Sequence, residues 1–179
     1  MEAVRGPDSI QCAAAASPEI ILTRLVETYQ TPLMHICYMI LHDEALAEDA
    51  VQETFLKAYK ALGQFRGESS EKTWLFRIGM NVCRDMRRGR WFRYVDRRVT
   101  PDTLRIPAGE AEEDYEELAQ AIVLLPDKYK EVILLHYYQN MNVRETAQAL
   151  GLAPSSVSNR LKKAHARLKS LLERRDFHG

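Results

Sequence analysis

Between about Arg98 and Glu113 the chain loses every regular spacing of apolar residues, because Pro101, Pro107 and Gly109 break any helical period. Charge turns with it: Asp102 to Glu117 carries seven acids against Arg105 alone. A stretch of that kind cannot join a packed core and reads as a linker. On either side, apolar residues recur three and four positions apart and β-branched runs are short, which is the spacing of amphipathic helices. The expected fold is all-α, two small helical domains joined by a flexible acidic linker. The amino-terminal domain is expected over 19–97, the linker over 98–113 and the carboxy-terminal domain over 114–175, with 176–179 as a tail. Residues 1–18, with Gly6, Pro7 and the run Ala13 to Ala16, offer no apolar face and are expected to be disordered.

The formal net charge of zero argues at first against a polyanionic partner, but the average hides a segregated distribution. From Arg84 to Arg98 seven arginines stand against Asp85 and Asp96, and from Arg160 to Arg175 seven Lys or Arg stand against Glu173. Two basic poles thus flank the acidic connector, a pattern suited to nucleic acid. Other function classes are poorly supported. Cys12, Cys37 and Cys83 form no CxxC pair and have no histidine at zinc-ligand spacing, so they read as buried or idle thiols. No nucleophile, base and orienting partner stand at recognisable spacing, which argues against an enzyme, a small-molecule substrate or a cofactor. The longest apolar runs, such as Val132 to Leu135, are too short to cross a bilayer, and the amino terminus lacks a signal-peptide core, so a cytoplasmic location is expected.

In the first half the spacing predicts helices over Glu19 to Leu41, kinked or interrupted by Pro32, over Glu44 to Leu62 with Asp43 as cap, and over Glu71 to Arg88. A loop from Gly63 to Ser70 joins the last two. In the second half Tyr115, Leu118, Ile122 and Leu125 make one stripe, which Pro126 and Asp127 end and restart, and a helix over Asp127 to Gln139 follows. Asn142 with Glu145 looks like a capping box opening a short helix that ends at Gly151, and Pro154 suits the first turn of the next helix. Short helix, glycine turn and second helix form the layout of DNA-reading helix-turn-helix motifs. In the second helix Val157, Leu161, Ala164, Leu168 and Leu171 share one face. Ser155, Ser158, Asn159, Lys162, Lys163 and Lys169 lie opposite, with Arg160 and Arg167 at the shoulder. Serine and asparagine can address base edges, and the cations can hold phosphates or read guanine. The plainer alternative is a solvated helix face.

The helix after the loop is the more informative. On a helical wheel Leu75, Ile78, Val82 and Met86 form its expected buried stripe, whereas Arg77, Asn81, Arg84 and Arg88 line a polar one with Trp74 on the border. Cations and an amide beside a large aromatic suit DNA whose strands are parting, since unpaired bases stack on rings while cations hold the backbone. Taken alone, Trp74 could equally be a tryptophan at the edge of a core.

Gln64-Phe65-Arg66-Gly67-Glu68-Ser69-Ser70, then Lys72-Thr73-Trp74-Leu75-Phe76-Arg77-Ile78, Asn81 and Arg84-Asp85, resembles region 2 of extracytoplasmic-function (ECF) sigma factors of the sigma-70 superfamily. Asp49-Ala50-Val51-Gln52-Glu53-Thr54-Phe55 is similar to their polymerase-binding helix, and Leu125-Pro126 through the helix-turn-helix is similar to their region 4. The resemblance spans roughly residues 20–172. It implies an alternative sigma factor, a subunit without catalysis that binds core RNA polymerase, recognises minus-35 and minus-10 promoter elements and helps open promoter DNA. It implies docking of Asp49, Gln52 and Glu53 on a coiled coil of the polymerase's largest subunit, with the flap as a second polymerase contact. Intrahelical support is the other reading, since Glu53 and Lys57 stand four apart. It implies a pocket for a flipped minus-10 base built by Phe65, Arg66, Gly67, Glu68 and Asn81, beside Trp74 and Arg77, with Lys72, Arg84, Arg87 and Arg88 on phosphates. In region 4, Ser155, Ser156, Ser158, Asn159, Arg160, Lys162 and Lys163 would read the minus-35 duplex. It also implies an anti-sigma factor, often membrane-anchored, that covers both faces and can hold the chain at the membrane. The acidic linker would follow the polymerase's RNA path or be simply solvated. The family's Pro-x-Gly-Thr-Val before a basic residue is replaced here by Pro154-Ser155-Ser156-Val157-Ser158, which leaves the fold intact and the minus-35 sequence open. The rival reading is a free-standing helix-turn-helix regulator binding operators without polymerase. It would need a dimerisation surface, and no heptad seam is evident.

Overall fold

A computed structural model describes residues 17–89 and 113–176. The expected disordered amino terminus up to Ala16, the linker over 98–112 and the end of the tail lie outside the described residues, as does Cys12. Among the described residues there are seven α-helices and no strand.

Helix α1 (Pro18–Leu41) starts as its sequence dictates, with Ser17 extended at the cap and Pro18 in the first turn, where its missing N–H costs nothing. At Pro32 the helix is not interrupted and runs on to Leu41. Packing explains this: Ile21 and Leu25 before the proline, and Leu33, Ile36, Cys37, Ile40 and Leu41 after it, are all buried in the core. Their burial outweighs one lost hydrogen bond. Helix α2 (Glu44–Ala61) is capped by Asp43, whose carboxylate accepts from the Leu46 N–H at 2.9 Å. A short 3-10 turn over Leu62–Gln64 follows. Helix α3 (Glu71–Arg88) is capped by Ser70, which accepts from the Thr73 N–H at 3.1 Å.

The three helices pack on one another through small residues. Ala47, Ala50 and Ala58 of α2 are fully buried, and Gly79 of α3 lies where a Cβ would stand 3.0 Å from Leu33 Cδ2 and 3.6 Å from Thr54. A branched side chain has no room there. Gly79→Val is expected to lower stability by about 1–3 kcal/mol, measured by urea unfolding; an unchanged midpoint would show that α1 yields.

The buried face of α3 differs from the expected stripe. Leu75 and Val82 are buried, but Phe76, Met80, Cys83, Gly79 and Thr73 are buried too, while Ile78 and Met86 are only half-buried. The cause is that α3 is covered on two sides, by α1 and α2 on one and by the carboxy-terminal unit on the other. Cys37 and Cys83 are buried free thiols whose sulfurs lie 3.5 Å apart, and this hydrogen bond, then burial, pushes the Cys83 thiol well above its usual range. Both side chains pack within the core as small apolar groups.

In the second half α4 (Glu113–Val123) and α5 (Asp127–Ile133) precede a wide π-turn over Leu134–Tyr138, where the Gln139 N–H reaches back to Leu134 O at 3.0 Å. The single helix expected over Asp127 to Gln139 therefore changes pitch midway. The change brings His136 onto the Met141 carbonyl at 2.6 Å, and Leu135 and Met141 are buried together. Helix α6 (Val143–Leu150) opens with both bonds of the capping box, the Glu145 N–H to Asn142 Oδ1 at 2.9 Å and the Asn142 N–H to Glu145 Oε2 at 2.8 Å. It closes at Gly151, whose φ of 67° suits glycine, with the Leu152 N–H bonded to Ala147 O at 2.9 Å. Helix α7 (Pro154–Asp176) buries Val157, Leu161, Ala164 and Leu168 against α4, α5 and α6, with Leu171 half-buried.

The two units are docked. Helix α3 lies against α6, and their apolar residues join one continuous core.

Candidate nucleic-acid interface

The loop ahead of α3 and the first turns of that helix enclose a cleft of about 200 Å³ lined by Phe65, Arg66, Glu68, Trp74, Arg77 and the incoming Gln148 of α6. Gly67 makes the loop possible: its φ of 71° is left-handed, a conformation in which a side chain would be strained. The rings of Phe65 and Trp74 stand 5.0 Å apart at 55°, so Trp74 is half-buried with its neighbour as a platform. Asn81 is exposed further along α3 and is not among the residues lining the cleft.

The cations of α3 divide into two sets. Arg77 and Arg88 face solvent, the latter 3.9 Å from Asp85. Lys72, Arg84 and Arg87 instead reach across to the carboxy-terminal unit. Lys72 Nζ donates to the Gln139 carbonyl at 2.6 Å, and burial lowers its pKa, partly offset by Glu145. Arg84 grips Glu131 with both prongs, at 3.0 and 2.7 Å, and donates to the Leu150 carbonyl at 3.3 Å. Its pKa rises, chiefly through the hydrogen bonds to Glu131. Arg87 pairs with Asp127. At the end of α1, His42 receives the buried Lys130 at 3.0 Å. Burial, then Lys130 and Arg87, push its pKa down to about 4, with Asp127 opposing, so it is neutral at ordinary pH.

On α2, Asp49 and Gln52 are exposed and Glu53 is half-buried, 3.5 Å from Lys57. Leu56, one turn on, is 48% exposed, so this acidic and polar stripe carries an apolar residue at its end. On α7, Ser155, Ser156, Asn159, Lys162 and Lys163 are exposed and Ser158 and Arg160 half-buried. Among the described residues Lys162 and Lys163 make no ion pair, whereas Lys169 stands 3.7 Å from Glu173. The second basic pole is a solvated cationic helix face opposite a buried one.

Sequence reasoning missed Asp127, Glu131 and Gln148 at this interface, since each meets α3 only through the docking of units far apart in the chain. It also missed Leu56, although an apolar residue seven positions after Asp49 on a polar face was a signal. Among the described residues no group of His, Cys, Asp or Glu could hold a metal ion, and no helix is long and apolar enough to cross a membrane.

Residues 25–93 match the family model for Sigma-70 region 2, and residues 115–168 match the model for Sigma-70, region 4. The chain belongs to the extracytoplasmic-function sigma factors of the sigma-70 family. It is 30% identical over 172 residues to the RNA polymerase sigma factor NccH of Alcaligenes xylosoxydans xylosoxydans, covering 89% of this chain and 91% of that protein. It is also 30% identical over 166 residues to the ECF RNA polymerase sigma factor SigL of Mycobacterium tuberculosis, covering 89% and 93%. Among solved structures, CnrH in complex with the cytosolic domain of CnrY is 29% identical with a TM-score of 0.67, covering 92% of this chain and 94% of that one. The sigma factor RpoE of Bartonella quintana, solved with the anti-sigma factor NepR, is 25% identical with a TM-score of 0.69, covering 84% and 96%. This sigma factor is thus an alternative, DNA-binding transcription initiation factor, and α1 to α3 form region 2 while α4 to α7 form region 4. A free-standing helix-turn-helix regulator is not favoured, because the same chain carries both regions.

Proposed function

We propose that this sigma factor works by binding alone, with region 2 over 19–97 opening promoter DNA and region 4 over 114–175 fixing the upstream duplex. The exposed stripe of Asp49, Gln52 and Glu53 docks on the coiled coil of the polymerase's largest subunit, and region 4 meets the flap. The observation that carries the reading is the Phe65 and Trp74 ring pair in a cleft edged by Arg66 and Arg77, next to the cationic length of α3. Phe65, Arg66, Gly67, Glu68 and Asn81 hold a flipped minus-10 base, Trp74 and Arg77 flank it, and Lys72, Arg84, Arg87 and Arg88 take phosphates. Ser155, Ser156, Ser158, Asn159 and Arg160 address the minus-35 major groove while Lys162 and Lys163 hold its backbone.

The chain acts in the cytoplasm. Because the related RpoE was solved with an anti-sigma factor, a partner of that kind, membrane-anchored or free, restrains this chain as well. Run-off transcription tests the assignments. Asn81→Ala is expected to lower open-complex formation about tenfold, the effect of one lost hydrogen-bonded base contact, with helicity unchanged. Lys162→Ala or Lys163→Ala should weaken upstream binding and reduce its salt slope by about one. Wild-type run-off by the Asn81 variant would remove that assignment.

A further inference from the structure

The docking of region 4 on region 2 uses the groups that would otherwise hold DNA. Asp127 and Glu131 stand four residues apart, one above the other on a single face of α5, and they meet Arg87 and Arg84, three apart on α3. Glu131 is buried at 6% exposure, so its carboxylate faces little besides the guanidinium that grips it. Two backbone carbonyls of the same unit, Gln139 and Leu150, take Lys72 and the remaining prong of Arg84. Gln148 of α6 closes one wall of the cleft at Trp74. Four acceptor groups of region 4 therefore sit on three neighbouring cations of α3.

We infer that Asp127 and Glu131 act as phosphate mimics, an autoinhibitory latch that keeps Lys72, Arg84 and Arg87 from promoter DNA until region 4 swings away. The inference rests on the proposed phosphate role of those three cations. On that proposed role these arginines lie where DNA would pass, a placement that a competitor requires and a purely structural ion pair does not. The physics suits a reversible latch. Burying a carboxylate and a guanidinium together costs desolvation that the pairing largely offsets, so opening returns both groups to water with little net change. A polyanion can then replace the carboxylates one for one. Lys130 meets His42 at 3.0 Å at the far end of the same seam, near Arg87 and Asp127, and its charge helps keep the imidazole neutral.

The test uses the full chain without polymerase. Glu131→Gln combined with Asp127→Asn keeps the shape of both side chains and removes their charge. At low ionic strength this variant should show a larger radius of gyration by small-angle scattering, with unchanged helicity. It should bind a fluorescent single-stranded oligonucleotide about tenfold more tightly than the parent. Adding Arg84→Ala to the opened variant should cancel most of that gain. In a separate chain, exchanging the partners, Arg84→Glu with Glu131→Arg, should restore compactness without the affinity. If the uncharged variant stays as compact as the parent, or opens without gaining affinity, the latch is wrong and the promoter role of α3 is untouched. If the gain survives Arg84→Ala, the phosphate role of Arg84 falls, and the competition built on it falls too.

Discussion

Arg24→Met will destabilise region 2 by about 3–5 kcal/mol, because it leaves a buried carboxylate without its counter-charge. Glu71 opens α3 with a side chain only 2% exposed, and Arg24 of α1 meets both of its oxygens, at 2.8 and 2.6 Å. The start of a helix favours a negative charge, which softens the loss slightly. It does not replace two charge-assisted hydrogen bonds in a dry site. The comparison that isolates the effect is the double variant Arg24→Met with Glu71→Leu, in which no charge is stranded and the loss should shrink to about 1 kcal/mol or less. Urea unfolding followed by tryptophan fluorescence gives both numbers. A single variant costing under about 1 kcal/mol would show that water reaches Glu71.

Phe76→Ala should cost a similar amount, about 3–5 kcal/mol, through a cavity between α1 and α3. The ring is fully buried and meets Tyr29 edge-on, with centroids 6.3 Å apart and planes at 90°. Phe76→Leu keeps most of the volume and should cost under about 1.5 kcal/mol. Phe76 stands two residues from Trp74, so the alanine variant should also fail in promoter opening near its unfolding midpoint while the leucine variant does not. If alanine and leucine unfold alike, α3 is not anchored through this ring.

How much of this was legible beforehand depends on whether the cause is local. The capping box at Asn142 and Glu145, the glycine stop at Gly151, Pro154 at the start of α7 and the cap at Asp43 are settled within four residues, and their chemistry can be read directly. The solvated cationic face of α7 follows from the same local periodicity. A break at Pro32 was read from propensity, which describes an isolated helix, while seven buried residues of α1 carry the helix through it. The wheel for α3 misled for a related reason. A single-stripe pattern assumes one covered side, but α3 packs against α1, α2 and region 4, so Phe76 and Met80 are buried as well while Ile78 stays half open. Pairs such as Arg24 with Glu71 and Arg84 with Glu131, each 47 residues apart, have no local trace at all. The cleft at Phe65 and Trp74 was legible as residues and not as a shape, since Gln148 enters it from the other region.

The most direct test is reconstituted transcription with core RNA polymerase on a pool of promoter fragments, with and without this chain. The expected result is transcripts from a subset of fragments that share two spaced sequence elements, made only when the chain is present and co-purifying with core enzyme. Binding of the chain to duplex DNA on its own, with no association with core polymerase and no promoter-dependent transcript, would contradict it.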